Sequence, residues 1–281
     1  MNTYIVDAIR TPIGNFGGTL KDIRTDDLGA IPIKELISRT KVDPSKIDDV
    51  ILGCANQSGE DNRNVARMSL LLAGLPYSVP GETVNRLCAS GMSAVIHAHR
   101  AISAGDGNLF IAGGVENMTR GPWVISKVSK PFGRDAQMHD SSFGWRFINP
   151  KMKELYGVDG MGNTAENLAE KYNISREDQD KFAYHSQMKA SKAQCDQRLA
   201  QEIVTVEIPQ RKKDPIIFTH DEFIKGNTSI EILAKLRTAF KKEGGTVTAG
   251  NASGLNDGAA AMLLASEKGI QENNLTPIAK I

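Results

Sequence analysis

Cysteine is scarce in this sequence, and its few copies are not arranged as a disulfide framework. The three cysteines, Cys54, Cys88 and Cys195, are widely separated among 281 residues, and no two of them form a C-x-x-C pair. This spacing is typical of a protein from a reducing compartment. We therefore expect a cytoplasmic location.

Long apolar runs and an excess of charge are also absent. No run approaches the roughly 20 residues that span a bilayer, and the opening MNTYIVDAIRTPIG carries Asp7 and Arg10, which argues against a signal peptide. With 34 basic and 33 acidic residues, the formal net charge is +1. Such a balance gives no bulk attraction to nucleic acid or to an anionic membrane, so we expect neither as a partner.

The first 117 residues alternate between short apolar segments and helical ones. Apolar runs bounded by Gly and Pro predict strands, and apolar residues at helical spacing predict helices. The expected strands are Tyr4–Ala8, Val50–Cys54, Glu82–Leu87 and Leu109–Ala112, and the expected helices cover 25–39, 64–73 and 90–104. This alternation predicts an α/β layered sheet.

The residue composition becomes more polar from about residue 118. Segments that resemble capping boxes begin at Asn163 and Ser175, and a charged connection, RKKD, covers 211–214. These features predict an inserted, solvent-facing loop subdomain at 118–246.

Small and apolar residues return after residue 246. VTAGNASGLNDGAA at 247–260 predicts a Gly-rich loop and a turn at Asp257–Gly258, followed by a strand through Ala259–Ala265. The predicted organisation is an α/β domain formed by 1–117 and 247–270, the inserted subdomain 118–246, and the start of a further domain at 271–281.

Cys88 stands where the third expected strand gives way to a helix. The thiolate is the reactive form of cysteine, and a helix N-terminus favours it through free N–H groups and a partial positive charge. Ala89, Ser90 and Gly91 leave space around the sulfur, as a nucleophile that carries a bulky acyl group requires. The alternative is a small buried apolar residue, the commoner role of an intracellular cysteine. Local chemistry leaves both interpretations open.

The wider sequence resembles a known family. NRLCASG at 85–91 is similar to the nucleophile segment of the thiolase family, RTPIGNFGG at 10–18 to its N-terminal segment, AGGVENMT at 112–119 to its Gly-Gly-x-Glu motif, and VTAGNASGLNDGAA at 247–260 to its second long signature. The four motifs occur in the family's order over nearly the whole chain, so the resemblance is specific. It implies a thiolase-like layered α/β/α domain with a mixed sheet.

Thiolases act on coenzyme A thioesters, so the resemblance implies acyl-CoA and CoA as partners and no separate cofactor. Their active cysteine takes an acyl group from a 3-ketoacyl-CoA, acetyl-CoA leaves, and a second CoA thiol collects the acyl group; the reverse is a condensation of acetyl-CoA. Cys88 matches this nucleophile. Asn85 and Arg86 are expected to support it, although their side chains could equally cap or pair locally.

Four further residues match, or lie near, positions that contact CoA in the family. Ser253 matches a residue that contacts pantetheine, and its neighbour Gly254 would let backbone approach that thin chain closely; an ordinary turn serine is the alternative. Met161 matches a methionine that lines the acyl and pantetheine pocket. Lys225 lies near a basic residue beside the CoA phosphates, with a solvated lysine as the alternative.

One position departs from the acetyl-specific members of the family. Gly160 stands where the biosynthetic relatives usually carry His, which argues against the acetoacetyl-CoA subgroup. FGWRFINPKMKELYGVD at 143–159 instead resembles the β-ketoadipyl-CoA thiolase branch, which acts in aromatic degradation.

Motifs for metals and nucleotides do not accompany these residues. His97 and His99 form an H-x-H sequence, but residues two apart on a helix face different directions. The chain has no GxGxxG after its first strand and no GxxxxGK(S/T). We therefore predict no metal site.

The 281 residues do not contain three motifs that thiolases carry in their C-terminal domain: an Asn-Glu-Ala-Phe-like motif, Gly-His-Pro and Cys-x-Gly-Gly-Gly. In the family these largely supply a general base, a second cysteine for proton transfer and donors for the thioester oxyanion. The last histidine is His220, and residues 275–281 resemble the first strand of that domain.

Two interpretations follow from a sequence that contains the N-terminal motifs of thiolases but not these three C-terminal ones. The chain is either the N-terminal part of an acyltransferase that acts when a C-terminal half is supplied, or a non-catalytic remnant that keeps the fold and binds CoA weakly. A ketoacyl-synthase relative is disfavoured, because NASGLNDGAA and the long middle insertion are thiolase-like. Since thiolases are usually dimers or tetramers, we expect a homo-oligomer.

Overall fold

The computed structural model describes residues 2–281, in which strands and helices alternate largely as the sequence predicts. The strands are β1 (Thr3–Arg10), β2 (Gly14–Asn15), β3 (Asp49–Gly53), β4 (Gly81–Val84), β5 (Leu109–Asn117), β6 (Trp123–Ile125), β7 (Met138–Asp140), β8 (Val206–Gln210), β9 (Lys213–Phe218), β10 (Asn256–Ser266) and β11 (Ala279–Lys280). The helices are α1 (Thr25–Thr40), α2 (Val65–Leu72), α3 (Ser90–Ala104), α4 (Pro150–Tyr156), α5 (Met161–Tyr172), α6 (Arg176–Cys195), α7 (Ile230–Ala234) and α8 (Glu267–Glu272).

The chain forms two compact units. Unit 1 contains the described residues up to Pro122 together with 200–222 and 256–281, and unit 2 contains 123–199 and 223–255. These units divide the chain at other positions than the predicted domain boundaries. The β8–β9 hairpin belongs to unit 1; the first two residues of the charged RKKD connection form its turn, and the last two begin β9. Most of the Gly-rich loop belongs to unit 2.

The main sheet of unit 1 has the strand order β11-β1-β10-β5-β3-β4, with β2 paired to β10. β3 runs parallel to β4 and β5, whereas β10 runs antiparallel to β1 and β5. The predicted mixed sheet is therefore confirmed. At its edge, Ala279 and Lys280 of β11 pair with Ile5 and Tyr4 of β1. Whether residues 271–281 also begin a further domain stays a prediction.

Helices cover both faces of this sheet. Val50 and Leu52 of β3 lie in an apolar cluster with α1 and α2, whereas Ile51 between them lies in a cluster with α3. Successive side chains of a strand point to opposite faces, and all three are almost fully buried. The burial of each side chain contributes roughly 1.5–3 kcal/mol to the stability of the folded state. The alternating side chains of β3 thus contact a helix layer on each face of the sheet, as the layered α/β/α arrangement requires.

Two local predictions were wrong for identifiable reasons. Asp257 and Gly258 do not form a turn, because both lie inside β10 and pair with Asn117 and Glu116 of β5. Pairing within a sheet overrides the turn preference of that dipeptide. Asn163 does not cap a helix, since α5 begins at Met161.

Other predicted boundaries agree closely with the structure. Helix α3 covers the predicted 90–104 and ends at Gly105, whose φ of 89° places it in the left-handed conformation typical of a helix end. Ser175 caps α6, because its side chain accepts a hydrogen bond from the N–H of Asp178. β4 ends at Val84, earlier than predicted, because its partner strand β3 ends at the paired residue Gly53.

The RTPIGNFGG segment at 10–18 is bound to acidic residues of a distant part of unit 1. The Arg10 guanidinium donates to both carboxylate oxygens of Asp221, at 2.7 and 2.9 Å, and to Glu202 at 2.9 Å. Glu222 accepts hydrogen bonds from the N–H of Asn15, at 2.7 Å, and from the hydroxyl of Thr19. These ion pairs and hydrogen bonds fasten the segment to residues 200–222.

Unit 2 contains helices α4 to α7 and a short hairpin, in which Trp123 pairs with Asp140 and Ile125 with Met138. Its long helix α6 is polar along most of its length and buries one acid, Asp180. Across residues 2–281, the structure contains no helix with both the length and the apolar character required to cross a membrane.

Candidate functional site

The residue that matches the thiolase nucleophile lies on an exposed turn of unit 1. β4 ends at Val84 and α3 begins at Ser90, so Cys88 lies two residues before the helix. Cys88 is exposed and its thiol is free. The structure therefore excludes the alternative interpretation of Cys88 as a small buried apolar residue.

The turn that carries Cys88 contains a strained backbone. Leu87 has a φ of 50°, in the left-handed region, which costs a leucine of order 1–2 kcal/mol. Its N–H donates to Asn85 Oδ1 at 2.9 Å, and its carbonyl accepts from Ser90 Oγ at 2.6 Å. Ser90 Oγ also accepts from the N–H of Arg86 at 2.8 Å. Asn85 therefore pairs locally within the turn, as the alternative interpretation held, and Arg86 contributes through its backbone; a role for either in supporting the nucleophile stays a prediction.

Glycines allow the start of α3 to lie close against the sheet. A Cβ added to Gly53 of β3 would lie 2.2 Å from the carbonyl carbon of Ser90 and 2.4 Å from the nitrogen of Gly91. A Cβ added to Gly114 of β5 would lie 3.5 Å from the Cα of Gly91. Because only glycine permits the approach at Gly53, the sheet fixes the position of the helix start.

The other thiol of the sheet domain has the opposite environment. Cys54 is buried, and its Sγ donates to the carbonyl of Asn56 at 2.8 Å. Burial strongly raises the pKa of Cys54, and the nearby Glu116 and Asp61 carboxylates raise it further. These three side chains place possible metal-ligating atoms within 4.8 Å of one another. A thiol that keeps its proton is a poor nucleophile, which distinguishes Cys54 from the exposed Cys88.

The two histidines of the H-x-H sequence have different partners. His99 Nδ1 shares a hydrogen bond with Thr3 Oγ1 at 2.9 Å, whereas His97 Nδ1 lies 3.9 Å from Glu82 Oε1. This divergence agrees with their positions two residues apart on α3.

In unit 2, two of the matched CoA residues meet at one aromatic ring. A Cβ added to Gly254 would lie 2.4 Å from Cε2 of Phe223. Lys225 Nζ lies 5.5 Å from the centroid of the same ring, within the range of a cation–π contact. We call Phe223, Lys225 and Gly254 the Phe223 platform. Ser253 directly precedes Gly254 and is exposed.

Met161 lies beside a second aromatic ring of unit 2. It is the first residue of α5 and is 78% exposed. A Cβ added to the next residue, Gly162, would lie 2.4 Å from three ring carbons of Phe240, which is also exposed. Sequence reasoning did not identify Phe223 or Phe240, because the signal, a glycine facing an aromatic ring, exists only in three dimensions.

A buried carboxylate of α5 fastens the loop that leads to Ser253. Glu166 is 6% exposed and accepts hydrogen bonds from the N–H groups of Thr246 and Val247, at 3.0 and 2.8 Å, and from the Thr246 hydroxyl at 2.9 Å. Burial acts to raise the pKa of Glu166, but the hydrogen bonds from Val247 and Thr246 hold it below its ordinary value. The Glu166 carboxylate therefore binds the backbone of this loop and does not form the capping box that its spacing predicts.

The predicted site residues are divided between the two units. Cys88 belongs to unit 1, whereas Met161, Lys225, Ser253 and Gly254 belong to unit 2. Within unit 2, Lys225 and Gly254 share the Phe223 ring, and Met161 lies next to the glycine that packs on Phe240.

Comparison with known proteins agrees with these features. Residues 3–268 match the family model of the thiolase N-terminal domain. The chain is 56% identical over 281 residues to the beta-ketoadipyl-CoA thiolase of Acinetobacter baylyi, covering 100% of this chain and 70% of that protein. It is 54% identical over 279 residues to the 3-oxoadipyl-CoA/3-oxo-5,6-dehydrosuberyl-CoA thiolase of Escherichia coli, covering 99% and 69%.

A solved structure shows the same fold. The crystal structure of human mitochondrial 3-ketoacyl-CoA thiolase in complex with CoA aligns with a TM-score of 0.89 at 36% identity, covering 100% of this chain and 68% of that one. The chain therefore belongs to the thiolase family of acyltransferases. It spans about 70% of the length of its bacterial relative from Acinetobacter baylyi, and the resemblance seen in its motifs is confirmed.

Proposed function

We propose that this chain performs the acyl-accepting chemistry of a thiolase, with Cys88 as the nucleophile. The Cys88 thiolate attacks the C3 carbonyl of a 3-ketoacyl-CoA, and the bond between C2 and C3 breaks. The electron pair stays on C2, which takes up a proton, and acetyl-CoA leaves. The thiol of a second CoA then attacks the acyl-cysteine thioester and releases the shortened acyl-CoA.

The single observation that carries this proposal is the exposed, free thiol of Cys88 just before the start of helix α3. The N-cap residue of α3 is Ala89, which has no side-chain acceptor for the first N–H groups of the helix. The partial positive charge of the helix start therefore stays available to a negative group close by. The neighbouring Ala89 is exposed and small, which leaves room for an acyl group.

We propose that the loop and platform of unit 2 bind the CoA part of the substrate. Ser253 and Gly254 would lie along the pantetheine chain, with Lys225 towards the CoA phosphates. Met161 would contact the acyl and pantetheine groups beside Phe240. The exposure of Ser253, Lys225 and Met161 supports these roles. CoA thioesters are then substrates, and no separate cofactor is required.

We propose 3-oxoadipyl-CoA as the acyl substrate. Support comes from the names of relatives that are 54–56% identical and from Gly160, which replaces the histidine usual in acetyl-specific relatives. The expected setting is a cytoplasmic homo-oligomer, and the three free cysteines support a reducing compartment.

Full turnover requires a general base and a second cysteine from motifs that the 281 residues do not contain. A further segment of the same polypeptide, or a separate C-terminal half, would supply them. The acylation of Cys88 is therefore the step to test first.

The test is intact-mass spectrometry of the folded 281-residue chain after incubation with acetyl-CoA. We expect one added acetyl group on the wild-type chain and none on Cys88→Ala. Cys195→Ser is the matched control, because Cys195 is also exposed and free, and this variant should still gain the acetyl group.

An acetyl group that persists on Cys88→Ala would contradict the assignment of the nucleophile. A folded wild-type chain that gains no acetyl group, alone or with a supplied C-terminal thiolase half, would establish the alternative, a non-catalytic remnant of the family.

A further inference from the structure

Unit 2 buries two carboxylates that the proposed chemistry does not use. Glu166 of α5 and Asp180 of α6 are 6% and 2% exposed. Moving a carboxylate out of water is unfavourable unless hydrogen bonds or an opposite charge replace the water. Both carboxylates accept hydrogen bonds from one stretch of chain, residues 246–251, which leads directly to Ser253 and Gly254.

Asp180 connects this stretch to two helices. Its Oδ1 accepts from Asn251 Nδ2 at 2.9 Å, and its Oδ2 accepts from Arg176 Nε at 2.8 Å. Arg176 Nη2 donates in turn to the carbonyls of Leu233 and Leu236, at 2.7 and 3.1 Å. Asn251 is thus joined through a buried ion pair to α6 and to the end of α7.

Asn251 also sets the shape of the loop itself. Its Oδ1 accepts from the N–H of Thr248 at 2.8 Å, and its Nδ2 donates to the carbonyl of Thr246 at 3.0 Å. Glu166 holds the N–H groups of Thr246 and Val247. The loop is therefore fixed at one end by Glu166 and at the other by Asp180, each through hydrogen bonds to a charged group, which are among the stronger ones in proteins.

We propose that Glu166 and Asp180 are positioning residues that hold loop 246–254 in the conformation that presents Ser253 and Gly254 to the pantetheine chain of CoA. The inference rests on the proposed function, because it takes CoA as the ligand of this loop. A loop ordered before binding avoids the entropy cost of being ordered by its ligand. The two carboxylates thus act on CoA affinity without touching CoA.

The first measurement is amide hydrogen exchange on the unliganded full chain. In Asp180→Asn and Glu166→Gln, the amides of Thr246, Val247 and Thr248 should exchange about tenfold faster or more, since a lost hydrogen bond to a buried charge frees the local backbone. The matched control is Glu177→Gln, an exposed acid on the same helix as Asp180, which should leave these amides unchanged.

The second measurement is calorimetric titration of the same variants with CoA. The Kd should rise about tenfold or more for Asp180→Asn and Glu166→Gln, and should not change for Glu177→Gln. The rate at which iodoacetamide alkylates Cys88 should be equal in all four proteins. Equal rates would show that the substitutions leave the exposed Cys88 turn of unit 1 unchanged, and an unchanged far-UV circular dichroism spectrum would show that the variants are folded.

A reciprocal exchange tests the contact directly. In the double variant Asp180→Asn with Asn251→Asp, the amide at position 180 donates to the carboxylate at position 251, and Arg176 still finds an oxygen acceptor. The Kd for CoA should fall between those of Asp180→Asn and the wild-type chain, because the exchange restores the contact between positions 180 and 251 but leaves the Thr246 carbonyl without the N–H that Asn251 donates. A change in general stability alone would not be reversed by this pair.

Each outcome decides the inference. Faster loop exchange together with weaker CoA binding supports it. Unchanged loop exchange overturns it, and so does faster exchange with a wild-type Kd; in both cases CoA binding by the wild-type chain leaves the proposed function intact. A wild-type chain that does not bind CoA overturns the proposed function and this inference with it.

Discussion

The turn that carries Cys88 in unit 1 is held by neutral groups, whereas the loop that carries Ser253 in unit 2 is held by buried charges. Around Cys88, the hydrogen bonds come from the Asn85 amide, the Ser90 hydroxyl and the backbone. Around the loop, they come from the carboxylates of Glu166 and Asp180.

This difference determines whether a packing substitution or a change of pH disturbs each segment. Amide and hydroxyl groups do not titrate in the ordinary pH range, so the position of the Cys88 turn depends on packing and backbone geometry. The Glu166 carboxylate does titrate, so the contacts that it makes with the loop depend on pH as well. Packing substitutions and acidification should therefore affect the two segments separately.

The largest expected effect concerns two facing glycines of unit 1. Gly53→Ala should lower the free energy of unfolding by about 3 kcal/mol, since the added Cβ meets backbone at 2.2 Å. Gly91→Ala should leave it unchanged or raise it by up to about 1 kcal/mol, since the nearest atom lies 3.7 Å away and alanine favours the helix. Urea unfolding at constant m-value measures both.

Equal destabilisation by Gly53→Ala and Gly91→Ala would contradict the role assigned to close packing in unit 1. It would mean that the helix start can shift away from the sheet, and that close packing does not set the position of the Cys88 turn.

An intermediate effect is expected from acidification at Glu166. Because its pKa is lowered in the native state, its contribution to stability is complete above the unfolded pKa of about 4.3 and is lost as pH falls through the native pKa. The free energy of unfolding of the wild-type chain should therefore exceed that of Glu166→Gln by about 1–3 kcal/mol at pH 7, and this difference should shrink as the pH falls below the unfolded pKa. Urea unfolding across this range measures the difference.

The Glu177→Gln variant provides the control for this pH series, because Glu177 is an exposed acid of the same unit. A gap between the wild-type chain and Glu166→Gln that stays constant from pH 7 to pH 3 would contradict the role of the ionised carboxylate.

The smallest effect is expected at the strained residue of the Cys88 turn. Leu87→Asn should raise the free energy of unfolding by up to about 1 kcal/mol, because asparagine tolerates the left-handed conformation better than leucine. Little apolar burial is lost, since Leu87 is 71% exposed. Thermal unfolding measures the change. A loss of stability would show that the leucine side chain, and not the backbone, stabilises the turn.

Local features of the sequence predicted much of unit 1. The apolar spacing from Ser90 and the stop at Gly105 predicted helix α3 with its bounds, and the small residues after Cys88 predicted space around its sulfur, although a buried thiol remained the alternative. These signals are local, because capping, helix periodicity and side-chain size depend on neighbours in the chain. The family motifs then added the chemical role expected of Cys88.

Contacts between distant segments could not be predicted in this way. The spacing around Glu166 resembles a capping box, yet its carboxylate bonds to Thr246 and Val247, about 80 residues further along. Asp180 in the same way meets Asn251. The Asp257–Gly258 dipeptide is typical of a turn, but strand partners on both sides keep it extended. In each case, the partner that decides the conformation is far away in sequence.

The place of β10 in the sheet has a consequence for how the protein forms during synthesis. β10 lies between β1 and β5, and it pairs Ser266 with Thr3. Among the strands of residues 2–281, β1 thus has no partner in the main sheet until residues 256–266 have emerged, and closing so long a loop is slow. The parallel strands β3, β4 and β5 lie within residues 49–117 and can associate earlier. Until β10 arrives, both β1 and the edge of β5 are exposed, and this interval is when the nascent chain most needs protection from aggregation.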